Sequence, residues 1–156
     1  MFLKNPKCQA ELFNIAYGVY IAKLLREAPN NDPEVVNQEL DLIGYNMGRR
    51  MIDEFLARSM KPNNCKDFHT TMDVLSKQAF KMFLGATAEC TNWEVDGKAC
   101  SLIIKDNPLT DFVVLPAGYM NSLWYSNILC GLIRGSLEMI NIKVKATFAK
   151  DMLRGD

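Results

Sequence analysis

Residues 125–142 read Tyr-Ser-Asn-Ile-Leu-Cys-Gly-Leu-Ile-Arg-Gly-Ser-Leu-Glu-Met-Ile-Asn-Ile, a run that has to be enclosed by the rest of the chain. Set on a helix, Ile128, Leu129, Leu132, Ile133, Leu137, Met139 and Ile140 cover most of the circumference, and a helix apolar nearly all round belongs in an interior. Asn127, Gly131 and Gly135 recur at every fourth position, so one face is small and admits another backbone. Glycine inside a helix costs roughly 1 kcal/mol relative to alanine, a loss that close contact must return. A membrane span would need about 20 consecutive apolar residues. Here Arg134 and Glu138 interrupt the run, spaced to pair along one exposed strip. The spacing predicts the central helix of a soluble domain.

The other elements arrange themselves around it. Residues 1–8 read as a short arm. From Gln9 to Arg26, Leu12, Phe13, Ile15, Ala16, Val19, Tyr20, Leu24 and Leu25 recur at helical spacing. The Ala28–Pro33 cluster ends that helix, and Asp32 followed by Pro33 is built to cap the next. The second helix spans Pro33–Ser59 on a stripe of Val36, Leu40, Ile43, Met47, Met51 and Phe55. Gly44 and Gly48, again four apart, predict a close helix contact or a kink. Residues 60–65 form a Pro-Asn loop. A third helix spans Asp67–Leu84, with Phe68, Met72, Leu75, Ala79, Met82 and Phe83 inward and Gly85 as its cap.

Beyond Gly85 the pattern changes. Thr87–Val95 and Ala99–Lys105 flank Asp96-Gly97, a strong hairpin signal. Leu109–Leu115 reads as a further extended piece, and Lys143–Lys150 alternates with Val144, Ala146 and Phe148 on one face. The class is therefore α+β, an antiparallel sheet packed against several helices around a buried central helix. At 156 residues it forms a single domain, 1–156.

Chemistry is sparse. Lys plus Arg equals Asp plus Glu at 18 each, so no net field recruits nucleic acid. Five cysteines include no Cys-x-x-Cys pair, which speaks for reduced cytosolic thiols over a disulfide framework or a zinc site. His69 is the one histidine, so a metal site of several imidazoles is excluded. No cofactor motif and no catalytic residue set emerges; Cys65 and His69 are near in sequence without forming a dyad. Arg49, Arg50 and Arg58 alternate with Asp53 and Glu54 as a solvated face. The first residues lack a myristoylation glycine and the last lack a prenylation box, so any lipid belongs on an internal residue.

Six segments carry a resemblance: Glu11–Gly18, Gly44–Gly48, Ile52–Ser59, Ala79–Gly85, Asn107–Val113 and Tyr125–Gly131, the last continuing through Arg134–Met139. In that order they resemble the small-subunit family of the transport protein particle, TRAPP, in its Bet-three branch. The resemblance implies a non-enzymatic scaffold of a vesicle-tethering complex that supports nucleotide exchange on a Rab GTPase in ER-to-Golgi transport. It implies pairing with other small subunits, as a heterodimer in the complex and a homodimer in isolation. The expected place is the cytoplasm, peripheral on Golgi and ER membranes. It also implies a buried channel holding a covalent palmitate on Cys65, with Ala79 as the small residue that keeps it open and Leu75, Met82 and Met51 as further lining. A thiol beside a helix N-terminus is a good nucleophile, and a buried sixteen-carbon chain contributes on the order of 10 kcal/mol gross. Relatives often have a basic residue just before the cysteine, where this chain has Asn63-Asn64. The family also continues past the segment matched by Leu153–Asp156 with a strand and a tail expected near the GTPase. The competing expectations are a stand-alone fatty-acyl-binding module and an acyl-transfer enzyme using Cys65.

Overall fold

The computed structural model describes residues 6–59, 65 and 67–155, with side chains from Ala10 onward. Helix α1 spans Pro6–Glu27, so the helix starts within the segment expected to be an arm. Its buried residues are Asn14, Tyr17 and Ile21, whereas Leu12, Ile15 and Val19 are exposed. The apolar residues of this helix therefore divide between the core, on which Leu24 and Leu25 also pack, and an outer face. Inward specificity also comes from polar atoms: Asn14 Nδ2 donates to Pro108 O at 2.6 Å and Tyr17 Oη to Tyr125 O at 2.6 Å.

Helix α2 spans Pro33–Arg58, with Asp32 accepting from Glu34 N and Pro33 in the first turn, as the sequence predicts. Helix α3 (Phe68–Val74), a wide π-type turn (Leu75–Ala79) and helix α4 (Phe80–Phe83) form one continuous rod. Gly85, at φ +75°, follows its end in the left-handed region that favours glycine. The central helix α5 spans Ile128–Met139, beginning three residues later than Tyr125. Residues 60–64 and 66, where the Pro-Asn loop is expected, lie outside the described residues.

The glycines at four-residue spacing on α2 and α5 meet each other. A Cβ placed on Gly44 would sit 2.9 Å from the Ile128 carbonyl carbon, and one on Gly48 would sit 2.9 Å from Ser136 N. Conversely, a Cβ on Gly131 would lie 2.7 Å from Tyr45 N. Polar groups lock this approach. Asn127 Nδ2 donates to Asn37 O at 2.7 Å, Trp124 N donates to Asn37 Oδ1 at 2.8 Å, and Ser136 Oγ donates to Gly48 O at 3.1 Å. Arg134 pairs with Asp41 of α2 and not with Glu138, which is exposed. Its guanidinium also lies 4.6 Å from the Tyr45 ring centroid. The i,i+4 partner expected on its own helix loses to a carboxylate on the helix α5 touches.

Strands β1 (Ala88–Thr91) and β2 (Ser101–Ile104) pair antiparallel, Cys90 opposite Leu102. Both are shorter than predicted. Asp96-Gly97 does turn the chain, with Gly97 at φ +68°, but Glu94 N donates to Ala99 O, closing a four-residue loop in place of a two-residue hairpin. Leu109–Leu115 is not extended as expected: Asn107 caps a 3-10 turn over Pro108–Thr110, and Phe112 adopts φ +64°. Lys143–Lys150 keeps its alternation, with Val144, Ala146 and Phe148 half-buried, and Phe148 stacks on Trp124 at 5.6 Å. It joins no ladder, however, because the described residues supply no strand beside it. Alternation dictates which side chains turn inward; hydrogen-bond pairing needs a neighbour. The α+β class holds, with a two-stranded antiparallel sheet.

Candidate functional site: an apolar cavity beside Cys65

Helices α2, α5 and the α3–α4 rod diverge on one side of the glycine contact and leave a cavity of about 500 Å³, within the roughly 300–1,000 Å³ typical of ligand sites. Met47, Met51 and Phe55 line it from α2, and Leu132, Ile133 and Leu137 from α5. Leu75, Ala79, Phe80 and Phe83 line it from the rod. Leu75, Phe55, Phe80 and Leu137 are buried, whereas Phe13, Leu56 and Cys65 border the cavity and are exposed. Cys65 therefore stands where the lining meets solvent.

No charged side chain borders the cavity among the described residues. Its two hydroxyls are already engaged: Thr71 Oγ1 donates to Asp67 O at 2.8 Å, and Ser136 Oγ to Gly48 O. Such a space suits a neutral aliphatic chain, since a charge buried there has nothing to pair with.

Cys65 precedes the rod, whose N-terminus is closed by Asp67. The Asp67 carboxylate accepts from Thr70 N at 2.7 Å, and Thr70 Oγ1 reaches back to Asp67 N, a complete capping box. The Thr70 amide, then its hydroxyl, holds the Asp67 carboxyl below its ordinary value. Two other thiols, Cys100 and Cys130, are unsuited to nucleophilic chemistry. Burial, then Asp41, pushes Cys130 up to about 12, and burial, then Cys90, pushes Cys100 up to about 11. Cys65 is the exposed cysteine among those described. His69 stacks on Trp93 with ring centroids 4.3 Å apart and does not border the cavity.

Of the lining residues the sequence suggests, Cys65, Met51, Leu75 and Ala79 border this space. Met82 does not; it is 37% exposed, and Phe83 takes its place. The reason is the wide turn, which shifts every later residue round the helix axis. Phe80 was missed on the same account, and no regular helical period would have found it. Met47, Phe55 and the α5 residues were legible as stripes but not as walls of one cavity. No cluster of three potential metal-ligating side chains occurs among the described residues, and no described helix is long and apolar enough to cross a membrane.

Comparison with known proteins places this cavity in context. The profile of the Transport protein particle (TRAPP) component family matches residues 13–156. The trafficking protein particle complex subunit 3 of Dictyostelium discoideum is 47% identical over 156 residues, covering 100% of this chain and 82% of that protein. The trafficking protein particle complex subunit BET3 of Saccharomyces cerevisiae is 47% identical over 153 residues, covering 98% of this chain and 78% of that protein. A crystal structure of a trafficking protein particle complex subunit 3 from Naegleria fowleri, covalently bound to palmitic acid, superposes with a TM-score of 0.91 at 41% identity, covering 96% of this chain and 90% of that one.

Proposed function

The chain belongs to the transport protein particle (TRAPP) component family, and from that premise we propose that it is a non-catalytic scaffold subunit whose core is completed by an acyl chain thioester-linked to Cys65. One observation carries this reading: the exposed thiol stands at the rim of a charge-free cavity of about 500 Å³. The palmitic acid bound covalently by the Naegleria relative supports it. A thioester is neutral, so it enters such a cavity without a counter-ion. A free fatty acid would bring a carboxylate that the lining does not pair, which argues against a reversible fatty-acid carrier. Acyl transfer onward would require a base, and no titratable group other than the thiol borders the cavity among the described residues.

In this reading the chain acts by protein contact. Leu12, Ile15 and Val19 leave an apolar stripe on α1, 64–67% exposed, and Val35 and Leu42 are exposed on α2. Related small subunits cover that stripe in the assembled complex, and a second copy covers it in isolation. The complex supports nucleotide exchange on a Rab GTPase in ER-to-Golgi transport, held peripherally on Golgi and ER membranes from the cytoplasm.

Intact-protein mass spectrometry tests the acyl step. The protein purified from a eukaryotic host should carry a palmitoyl-sized increment that hydroxylamine removes and Cys65→Ser abolishes. An unmodified mass, or an increment that survives Cys65→Ser, overturns the assignment to Cys65.

A further inference from the structure

The α3–α4 rod does not keep one pitch. The Phe80 N–H donates to Leu75 O, five residues back where an α-helix reaches four, the mark of one extra residue accommodated in a wide turn. Successive α-helical residues are about 100° apart. An unbroken helix that turned Thr71 and Leu75 to the cavity would therefore bring Gln78 and Met82 to the same side and point Phe80 away. The structure does the reverse. Ala79, Phe80 and Phe83 border the cavity, Phe80 is 7% exposed, and Gln78 lies outside on the exposed face with Lys77.

The exchange matters chemically. An amide oxygen in the wall would need a donor, and the hydroxyls nearby, Thr71 and Ser136, have already given their hydrogens to backbone carbonyls. A flexible thioether at the rim would fill space that the Ala79 methyl leaves open. Phe83 borders the cavity yet is 37% exposed, so its ring stands where lumen meets solvent at the C-terminal end of the rod, roughly 20 Å of helix away from the Cys65 end.

We propose that the wide turn Leu75–Ala79 is the specificity device of this cavity. By absorbing one residue it sets the helical phase that keeps the lumen free of the Gln78 amide, and it makes Phe83, in place of Met82, the residue that limits how far an unbranched acyl chain entering from Cys65 can extend. The proposal rests on the acyl-channel reading but concerns which residues form the channel.

The test uses the full chain, palmitoyl-coenzyme A as the probe and the hydroxylamine-labile mass increment as the readout, with circular dichroism confirming that each variant is folded. Met82→Trp should acquire the increment as the parent does, and Phe83→Trp should lose most of it. Equal behaviour, or loss with Met82→Trp alone, overturns the proposal. Deletion of Gln78 supplies a readout that needs no ligand. Removing the extra residue turns the Leu75–Phe80 hydrogen bond into an ordinary α-helical one and leaves both flanks in place, so Tm should equal or exceed the parent's; a clear fall in Tm overturns the phase assignment. If the parent itself acquires no increment, the acyl reading fails, while the Tm of the Gln78 deletion still decides the phase.

Discussion

Asp67 shows how one side chain decides where an element begins and how that decision depends on pH. Its carboxylate closes the capping box at the start of α3, and its pKa is held below the ordinary value by the Thr70 N–H first and the Thr70 hydroxyl second. A depressed folded-state pKa means that the stabilisation is complete above the ordinary carboxylate range and lost as pH falls through the depressed value. Asp67→Asn keeps the acceptor oxygen and removes the titration. In urea unfolding, the parent should therefore be more stable than Asp67→Asn at neutral pH, and the gap should narrow in acid; a gap independent of pH refutes the linkage. Arg134 teaches a different lesson. Its sequence spacing offers Glu138, yet its charge is spent on Asp41 and the Tyr45 ring across the α2–α5 contact. Local spacing ranks only partners on the same helix, and a half-buried pair between helices is screened less by solvent than an exposed one on the surface.

At the scale of elements, the α2–α5 contact is the frame on which the cavity hangs. The helices approach until added Cβ atoms would strike backbone, so there is little room for side-chain relaxation. Gly131→Ala should destabilise the fold by at least the roughly 1–3 kcal/mol of ordinary overpacking, whereas Gly118→Ala, with open space around it, should be close to neutral. Equal urea midpoints for these two variants would show that the contact is looser than it looks. The contact itself was legible, because Gly44/Gly48 and Asn127/Gly131/Gly135 each recur every fourth residue. That the two small faces belong to one interface was not legible, since periodicity describes a face without naming what lies against it. The α3–α4 rod was less readable still. Its extra residue leaves no mark in composition, and a constant 3.6-residue period puts Met82 where Phe83 stands.

At the scale of the whole molecule, the apolar residues of α1 divide between two surfaces. Tyr17 and Ile21 enter the core, while Leu12, Ile15 and Val19 remain in water. A contiguous exposed stripe of this kind marks a protein contact. Light scattering at micromolar concentration should give a dimer mass for the isolated chain, and Ile15→Glu should return a monomer with an unchanged circular dichroism spectrum. A monomeric parent would sink the pairing proposal.

The sequence by itself determined the helical and hairpin segments, the Asp32 and Gly85 boundaries and the small faces of α2 and α5, because each is written in spacings of a few residues; Cys65 stood out only through the family resemblance. Tertiary structure alone decided which face of α1 is inside, that Arg134 pairs with Asp41, that Leu109–Leu115 coils around a 3-10 turn, and that Cys65 opens onto a cavity without charge. The physical reason is the same in each case. Propensity and period act along the chain over one or two turns, whereas burial, ion pairing and enclosed volume depend on which distant segments arrive alongside. A cavity has no sequence of its own; it is the space left where two helices, held together at their glycines, part at their larger side chains and a third helical rod lies alongside.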